Sequence, residues 1–120
     1  MCGSHRGDLF EILPDGGSVE LTNATMRARY RETLREAEPV PSGATEKFVF
    51  DNFTFFSRRI AKRSRLRLIV HSINSTSTAK NYNSGGVVAA ETGKDAKTAH
   101  ITVVHDAEHP SAVELPIVKP

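Results

Sequence analysis

The sequence has little cysteine and no tryptophan: Cys2 is the single cysteine among 120 residues. One cysteine cannot form an internal disulfide, which excludes a disulfide-stapled scaffold and favours a reducing compartment. No apolar run approaches the roughly 20 residues that cross a bilayer, and no apolar leader segment is present. The sequence therefore predicts one cytoplasmic domain with no membrane partner.

An excess of charge of either sign is also lacking, because 16 basic residues face 14 acidic ones. The net charge is only +2 with histidine neutral, which demands no polyanionic partner. No acidic residue lies between Asp51 and Glu91, however, and this interval holds a run of six cations: Arg58, Arg59, Lys62, Arg63, Arg65 and Arg67. Such runs attract phosphate backbones. Because strand alternation would divide these charges, a solvated face or a surface for an acidic partner is favoured over nucleic-acid binding.

The sequence lacks the short motifs that are typical of serine hydrolases and nucleotide-binding proteins. The sequence contains no Gly-x-Ser-x-Gly, no phosphate-binding loop and no Gly-x-Gly-x-x-Gly. His105, Asp106, Glu108 and His109 are types that bind zinc, but Pro110 and Ser111 follow at once and indicate a solvated turn held by side-chain hydrogen bonds. We therefore assign no catalytic residue, no metal ligand and no cofactor.

The best strand signal covers residues 64–72. Arg65, Arg67, Ile69 and His71 alternate there with Leu66, Leu68, Val70 and Ser72. Period-two alternation with β-branched residues predicts a half-buried strand on which other runs pack.

Shorter runs predict further elements. Residues 9–13 and 18–22 flank Pro14-Asp15-Gly16-Gly17 and indicate a β-hairpin, with a break at residues 23–25. We expect strands at 26–30 (running into an irregular or one-turn helical stretch), 46–51, 100–105 and 113–118, and a helical turn at 57–63.

Aromatic side chains between Phe48 and Phe56 are expected in the core. The polar tract from Ile73 to Lys97 is expected to be a surface excursion and a candidate ligand loop. Six to eight short strands indicate an antiparallel β-sandwich or jelly roll.

Several blocks of sequence resemble one family in order and spacing. They are residues 9–16, 26–32, 60–62, 65–68 and 83–85, then His-Asp-Ala-Glu-His-Pro-Ser at 105–111 and Leu-Pro-Ile-Val at 115–118. Together they are similar to the C-terminal domain of the X-Pro dipeptidyl-peptidase and cocaine esterase (CocE/NonD) family of serine hydrolases. The resemblance runs from about Leu9 to Val118.

The resemblance implies an all-β fold, an antiparallel, galactose-binding-like jelly-roll β-sandwich, of which this chain is the second half. Residues 1–8 are then a disordered start or an appended remnant, and residues 9–120 the C-terminal domain. It also implies a non-catalytic segment that packs against an α/β-hydrolase catalytic domain and supports assembly. The family's Ser-Asp-His triad lies outside this chain, so whether the chain has any enzymatic activity is left open.

A half sandwich leaves strand edges and an apolar face open, so we expect a homo-oligomer. The alternative is a stand-alone carbohydrate-binding-like module that uses the loop from Ile73 to Lys97.

Overall fold

The computed structural model describes residues 3–72, 78, 80 and 82–118. Three strands, β1 (Ser4–Ile12), β2 (Ser18–Arg27) and β3 (Arg65–Ser72), form an antiparallel sheet in the order β2-β1-β3. The remaining regular structure is three short 3-10 turns at Ala28–Tyr30, Val88–Ala90 and Gly93–Asp95. The fold is therefore all-β, and the sheet forms part of a sandwich. Among these residues no helix is long and apolar enough to cross a membrane.

The predicted hairpin between β1 and β2 is confirmed. Gly16 N–H donates to the Leu13 carbonyl at 2.9 Å, and Leu13 N–H donates to the Gly17 carbonyl at 2.8 Å. Gly16 has a φ of 89°, which a residue without a Cβ adopts at little cost. Asp15 accepts a hydrogen bond from Gly17 N–H at 2.8 Å and fixes the turn further.

Both hairpin strands are longer than predicted. β1 begins at Ser4, where polar residues hide the strand pattern, so residues 4–8 lie in the sheet. The predicted break at 23–25 is wrong, because these residues pair with Arg6, Gly7 and Asp8. A register shift between Leu9 and Phe10 absorbs the irregularity in β2 instead. β2 ends at Arg27, three residues before the predicted end, and a 3-10 turn follows.

β1 is the central strand and has two unlike faces. On the covered face, His5, Gly7, Leu9 and Glu11 lie against the segment 48–61. The His5 and Phe48 ring centroids are 5.6 Å apart, and a Cβ at Gly7 would lie 3.6 Å from Phe53. The segment is also tied to β2, since Thr22 Oγ1 donates to the Thr54 carbonyl at 2.6 Å. On the open face, Arg6 and Asp8 face polar neighbours.

The segment 48–61 is nevertheless not a second sheet. No strand is assigned at 46–51, 100–105 or 113–118 in the described chain, so these three predictions are wrong, as is the helical turn at 57–63. Alternation of apolar and polar residues gives an extended segment one apolar face. A β-strand forms only where a neighbouring strand completes its backbone hydrogen bonds. Three strands therefore replace the six to eight expected.

The aromatic core is only partly formed. Phe48, Phe50 and Phe56 are half-buried, but the prediction is wrong for Phe53 and Phe55, which are 37% and 91% exposed. The buried apolar residues are few: Leu9, Ala24, Ala28 and Val40. Among the residues whose burial is described, five buried ones are polar: Ser4, His5, Asp8, Glu11 and Thr22.

The surface is correspondingly large for a chain of this mass. It measures 9504 Å², whereas a folded monomer of 13.2 kDa exposes about 6,400 Å². The radius of gyration is 16.7 Å, against about 13.6 Å for a compact domain of 120 residues. The chain thus leaves about 3,000 Å² of surface that a closed domain of its size would bury.

Candidate functional site

The outer edge of β3 is an unpaired edge of the sheet. The strand predicted at 64–72 is confirmed, and its faces are as predicted: Leu68 lies beside Gly7 on the covered face, and His71 lies on the open face. The expected half-burial is wrong, because all eight residues are exposed. Only β1 pairs with β3 within the described chain, so nothing there covers its second side.

The exposed side chains of β3 include four aliphatic ones. Leu66, Leu68, Ile69 and Val70 are each between 40% and 45% exposed. A flat edge with aliphatic side chains and unused backbone donors and acceptors is a ready surface for another chain. We refer to Arg65–Ser72, with its free backbone groups, as the β3 edge.

A polar network on the open face holds β3 to β1. Asp8 receives Arg6 Nε on one oxygen and His71 Nε2 on the other, both at 2.6 Å. Arg6 also contacts Glu20 of β2 at 3.2 Å, and Glu20 accepts from Asn23 at 2.8 Å. The network therefore crosses all three strands.

An Asp-His pair at this distance suggests acid-base chemistry, but the geometry argues against it. His71 Nδ1 lies 3.0 Å from the Ser72 carbonyl, so both ring nitrogens face acceptors. The ring meets both acceptors only when it carries two protons. These contacts, led by the one to Asp8, raise the pKa of His71. In that doubly protonated form the imidazole has no lone pair to serve as a general base.

The pKa of Asp8 is shifted in the opposite direction to that of His71. Burial works to raise the pKa of Asp8, but hydrogen bonds from His71 and Arg6 outweigh burial and lower it. Asp8 is thus held as a carboxylate between two cations. This network was missed by sequence reasoning, because its members lie up to 63 residues apart and only the strand register brings them together.

The covered face has its own ionic contact. Glu11 has no exposed side-chain surface, and it accepts Arg58 Nε at 2.5 Å and Ala61 N–H at 2.8 Å. These two donors, Arg58 first, lower the pKa of Glu11 to about 2. The contact anchors the segment 48–61 to the central strand.

The basic run is divided by this arrangement. Arg58 forms an ion pair with Glu11 on the covered face. Arg65 and Arg67 lie on the open face of β3, opposite Ile12 and Phe10. Arg63 occupies a turn with a φ of 70°. The six cations therefore do not form one continuous patch.

The cluster at 105–109 forms the predicted side-chain-bonded turn. Asp106 Oδ1 accepts from the backbone N–H groups of His109 and Glu108 at 2.7 and 3.0 Å. Those bonds, led by His109, lower the pKa of Asp106. Ser111 Oγ donates to the Val104 carbonyl at 3.2 Å, so this Ser, His and Asp set lacks the hydroxyl-to-imidazole contact of a nucleophile. No metal-binding group of His, Cys, Asp or Glu exists among the residues whose structure is described.

The candidate ligand loop is described only in part, since residues 73–77, 79 and 81 lie outside the described set. Lys80, Tyr82, residues 87–89 and Glu91 line a groove of ≈ 770 Å³ against the end of β2. This groove is separate from the open-face network.

Comparison with known families decides what kind of domain this is. The profile described as "X-Pro dipeptidyl-peptidase C-terminal non-catalytic domain" matches residues 8–114. The chain belongs to this family. This member of the X-Pro dipeptidyl-peptidase C-terminal domain family contains a three-stranded antiparallel sheet in which β3 pairs with no described strand other than β1.

A curated relative supports the same assignment. The cocaine esterase of Rhodococcus sp. (strain MB1 Bresler) is 32% identical over 111 residues, which cover 92% of this chain and 19% of the esterase. The chain therefore spans about a fifth of the length of the curated relative it matches. No solved structure matches.

Proposed function

We propose that this chain is a non-catalytic structural segment of a serine hydrolase of the X-Pro dipeptidyl-peptidase and esterase type. It packs against the catalytic domain and supports assembly. The observation that carries the proposal is the unburied surface: the chain exposes 9504 Å², well above the value for a closed domain of its mass. Surface of this extent, with few buried apolar residues, is expected of a segment completed by a partner.

The exposed apolar side chains outside the sheet supply the surface for the catalytic domain. Phe55, Val103 and Ile117 are 91%, 72% and 77% exposed. Each leaves an aliphatic or aromatic group in water, where burial against a partner is worth roughly 1.5–3 kcal/mol per side chain. A hydrolase domain that covers them would stabilise both parts.

A chimera tests the packing directly. The matched 111-residue segment of the Rhodococcus esterase is replaced by this chain, and thermal stability and ester hydrolysis are measured. We expect a folded, active chimera that loses stability when Phe55→Asp and Ile117→Asp are introduced. The matched control is Glu108→Gln, in an exposed turn. A chimera no more stable than the esterase without its segment would reject packing against the catalytic domain.

We assign the assembly role to the β3 edge. Two copies related by a two-fold axis at Leu68 would pair Leu68 with its own copy and Leu66 with Val70 of the partner, which extends one aliphatic face. An axis at Arg67 would place two guanidinium groups against each other. The pairing of aliphatic side chains therefore favours the Leu68 register over the Arg67 register, although the Leu68 register also places Arg65 opposite the partner's His71.

Cysteine cross-linking tests that register. In a Cys2→Ser background, Leu68→Cys is expected to give a disulfide-linked dimer because the two positions face each other. Leu66→Cys is the matched control: the two Leu66 positions would lie four residues apart, about 13 Å, beyond the reach of a disulfide. Equal cross-linking of both variants, or of neither, contradicts this register.

A further inference from the structure

The groove beside the end of β2 holds more positive than negative charge. Its walls carry Arg27, Arg29 and Lys80 but one acid, Glu91. Its volume of ≈ 770 Å³ lies within the roughly 300–1,000 Å³ typical of small-molecule sites. The net charge of this small region is therefore as large as that of the whole chain, which is +2.

Two contacts define the groove's walls. Arg29 donates through both terminal nitrogens to the Gly86 carbonyl, each at 3.1 Å, and so joins the turn after β2 to the segment 82–91. The Glu91 carboxylate accepts a hydrogen bond from Ser84. A Cβ at position 86 would lie 2.8 Å from Glu91 Oε1, so Gly86 is what lets this carboxylate fold against the wall. Arg29 and Glu91 are thus structural.

The other two cations are available. In the part of the chain with a described structure, no carboxylate forms an ion pair with Arg27 or Lys80. Both side chains are exposed, and Lys80 Nζ lies 5.5 Å from the centroid of the Tyr82 ring. Two cations without a described carboxylate partner, in a lining that also holds two tyrosines, attract an anion whose own body is a ring.

The rest of the lining is compatible with such a ligand. Tyr30 and Tyr82 offer ring faces and hydroxyl groups, and residues 87–89 (Val-Val-Ala) offer aliphatic surface. We propose that this groove binds a small carboxylate carried on a six-membered ring, with the carboxylate at Arg27 and Lys80 and the ring against the tyrosine and aliphatic part of the lining. An aromatic acid and the uronic acid unit of an acidic saccharide share this chemistry.

Titration of the intact chain tests the site by calorimetry and by amide chemical shifts. The probes are benzoate and glucuronate; benzamide and glucose are the uncharged counterparts, and inorganic phosphate is an anion without a ring. We expect saturable binding of at least one ring carboxylate and at least tenfold weaker binding of its uncharged counterpart. Binding of benzoate alone would identify an aromatic acid as the ligand, and binding of glucuronate alone would identify the uronic acid unit of an acidic saccharide.

Matched variants separate the groove from general attraction to a basic protein. Arg27→Gln and Lys80→Gln each remove one groove cation and are expected to weaken binding about tenfold, the effect of losing one charged hydrogen bond. Arg59→Gln removes an exposed charge that does not line the groove and is expected to leave affinity unchanged. Equal loss in all three, binding of phosphate as tight as that of both acids, or no saturable binding would overturn the proposal. These outcomes are independent of the chimera and cross-linking results.

Discussion

At the scale of single residues, two buried carboxylates connect elements of this domain. Asp8 joins β3 to β1 through His71, and Glu11 joins the segment 48–61 to β1 through Arg58. Both acids are buried residues of the central strand. Removing one partner of such a pair leaves a buried group unsatisfied, which costs more than the net worth of the pair.

The His71 contact predicts a pH dependence. The raised pKa of His71 means that its stabilisation is fully present below about pH 6.5, the ordinary value, and is lost as the pH rises through the folded-state pKa. Because His71 is 44% exposed, we expect a loss of only about 0.5 kcal/mol relative to His71→Gln between pH 5.5 and 8.5. Urea unfolding of both proteins at each pH measures it.

Buried His5 has the opposite effect on the pH dependence of stability, because burial lowers its pKa. His5 is present in both wild type and His71→Gln, so its contribution cancels in the difference between their free energies of unfolding. A difference between wild type and His71→Gln that stays constant with pH would show that the Asp8 contact does not depend on the imidazole charge.

Glu11 and Glu20 form a matched pair of acids for a second prediction. Glu11→Gln leaves Arg58 without its carboxylate on the covered face, whereas Glu20 is 44% exposed and Glu20→Gln is expected to be nearly neutral. We expect Glu11→Gln to lower the urea midpoint clearly more than Glu20→Gln at pH 7. Because the pKa of Glu11 is about 2, this gap is expected to shrink as the pH falls from about 4.5 towards 2. Equal midpoints at pH 7 would contradict the anchoring role.

At the scale of elements, β1 is the strand on which everything else depends. It pairs with β2 along one side and β3 along the other, and its covered face takes the segment 48–61. Gly7 leaves room there: a Cβ would meet Phe53, Phe50 and Leu68 at 3.6–3.9 Å, which is ordinary contact.

Substitutions at Gly7 therefore separate two effects. Gly7→Ala is expected to be tolerated or to stabilise by about 0.5 kcal/mol, because alanine costs less backbone entropy in a strand. Gly7→Leu would overlap both phenylalanines and is expected to cost about 1–3 kcal/mol by overpacking. Hydrogen exchange at the Ala61 amide, which Glu11 holds, reports whether the segment detaches. Protection of this amide in Gly7→Leu would show that the segment adapts without leaving the sheet.

The elements also show how far the sequence predicts the structure. The hairpin and β3 follow from local signals, namely the turn chemistry at residues 14–17 and the alternation at 65–72. The alternation at 46–51 and 100–105 is as regular, but no neighbouring strand pairs there. Which strands pair depends on residues far apart in the sequence, and local patterns do not reveal it. The same is true of the Asp8–His71 and Glu11–Arg58 contacts and of the lining of the groove.

At the scale of the whole molecule, the domain is open. Its sheet is covered on one face by an irregular segment, and β3 has a free edge. The excess of about 3,000 Å² over a closed monomer exceeds the roughly 800 Å² that a standard protein interface buries on each partner. One interface alone would not remove the excess, which fits the proposal of two contacts: a second copy at the β3 edge and a catalytic domain on the exposed apolar side chains.

The mass of the intact chain in solution, measured by light scattering behind size exclusion over a range of concentrations, tests the central claim most directly. A species of twice 13.2 kDa or more that dissociates on dilution is the predicted result. A monomer of 13.2 kDa at every concentration, with a single cooperative unfolding transition, would contradict it, because these strands would then close into a stable domain without a partner.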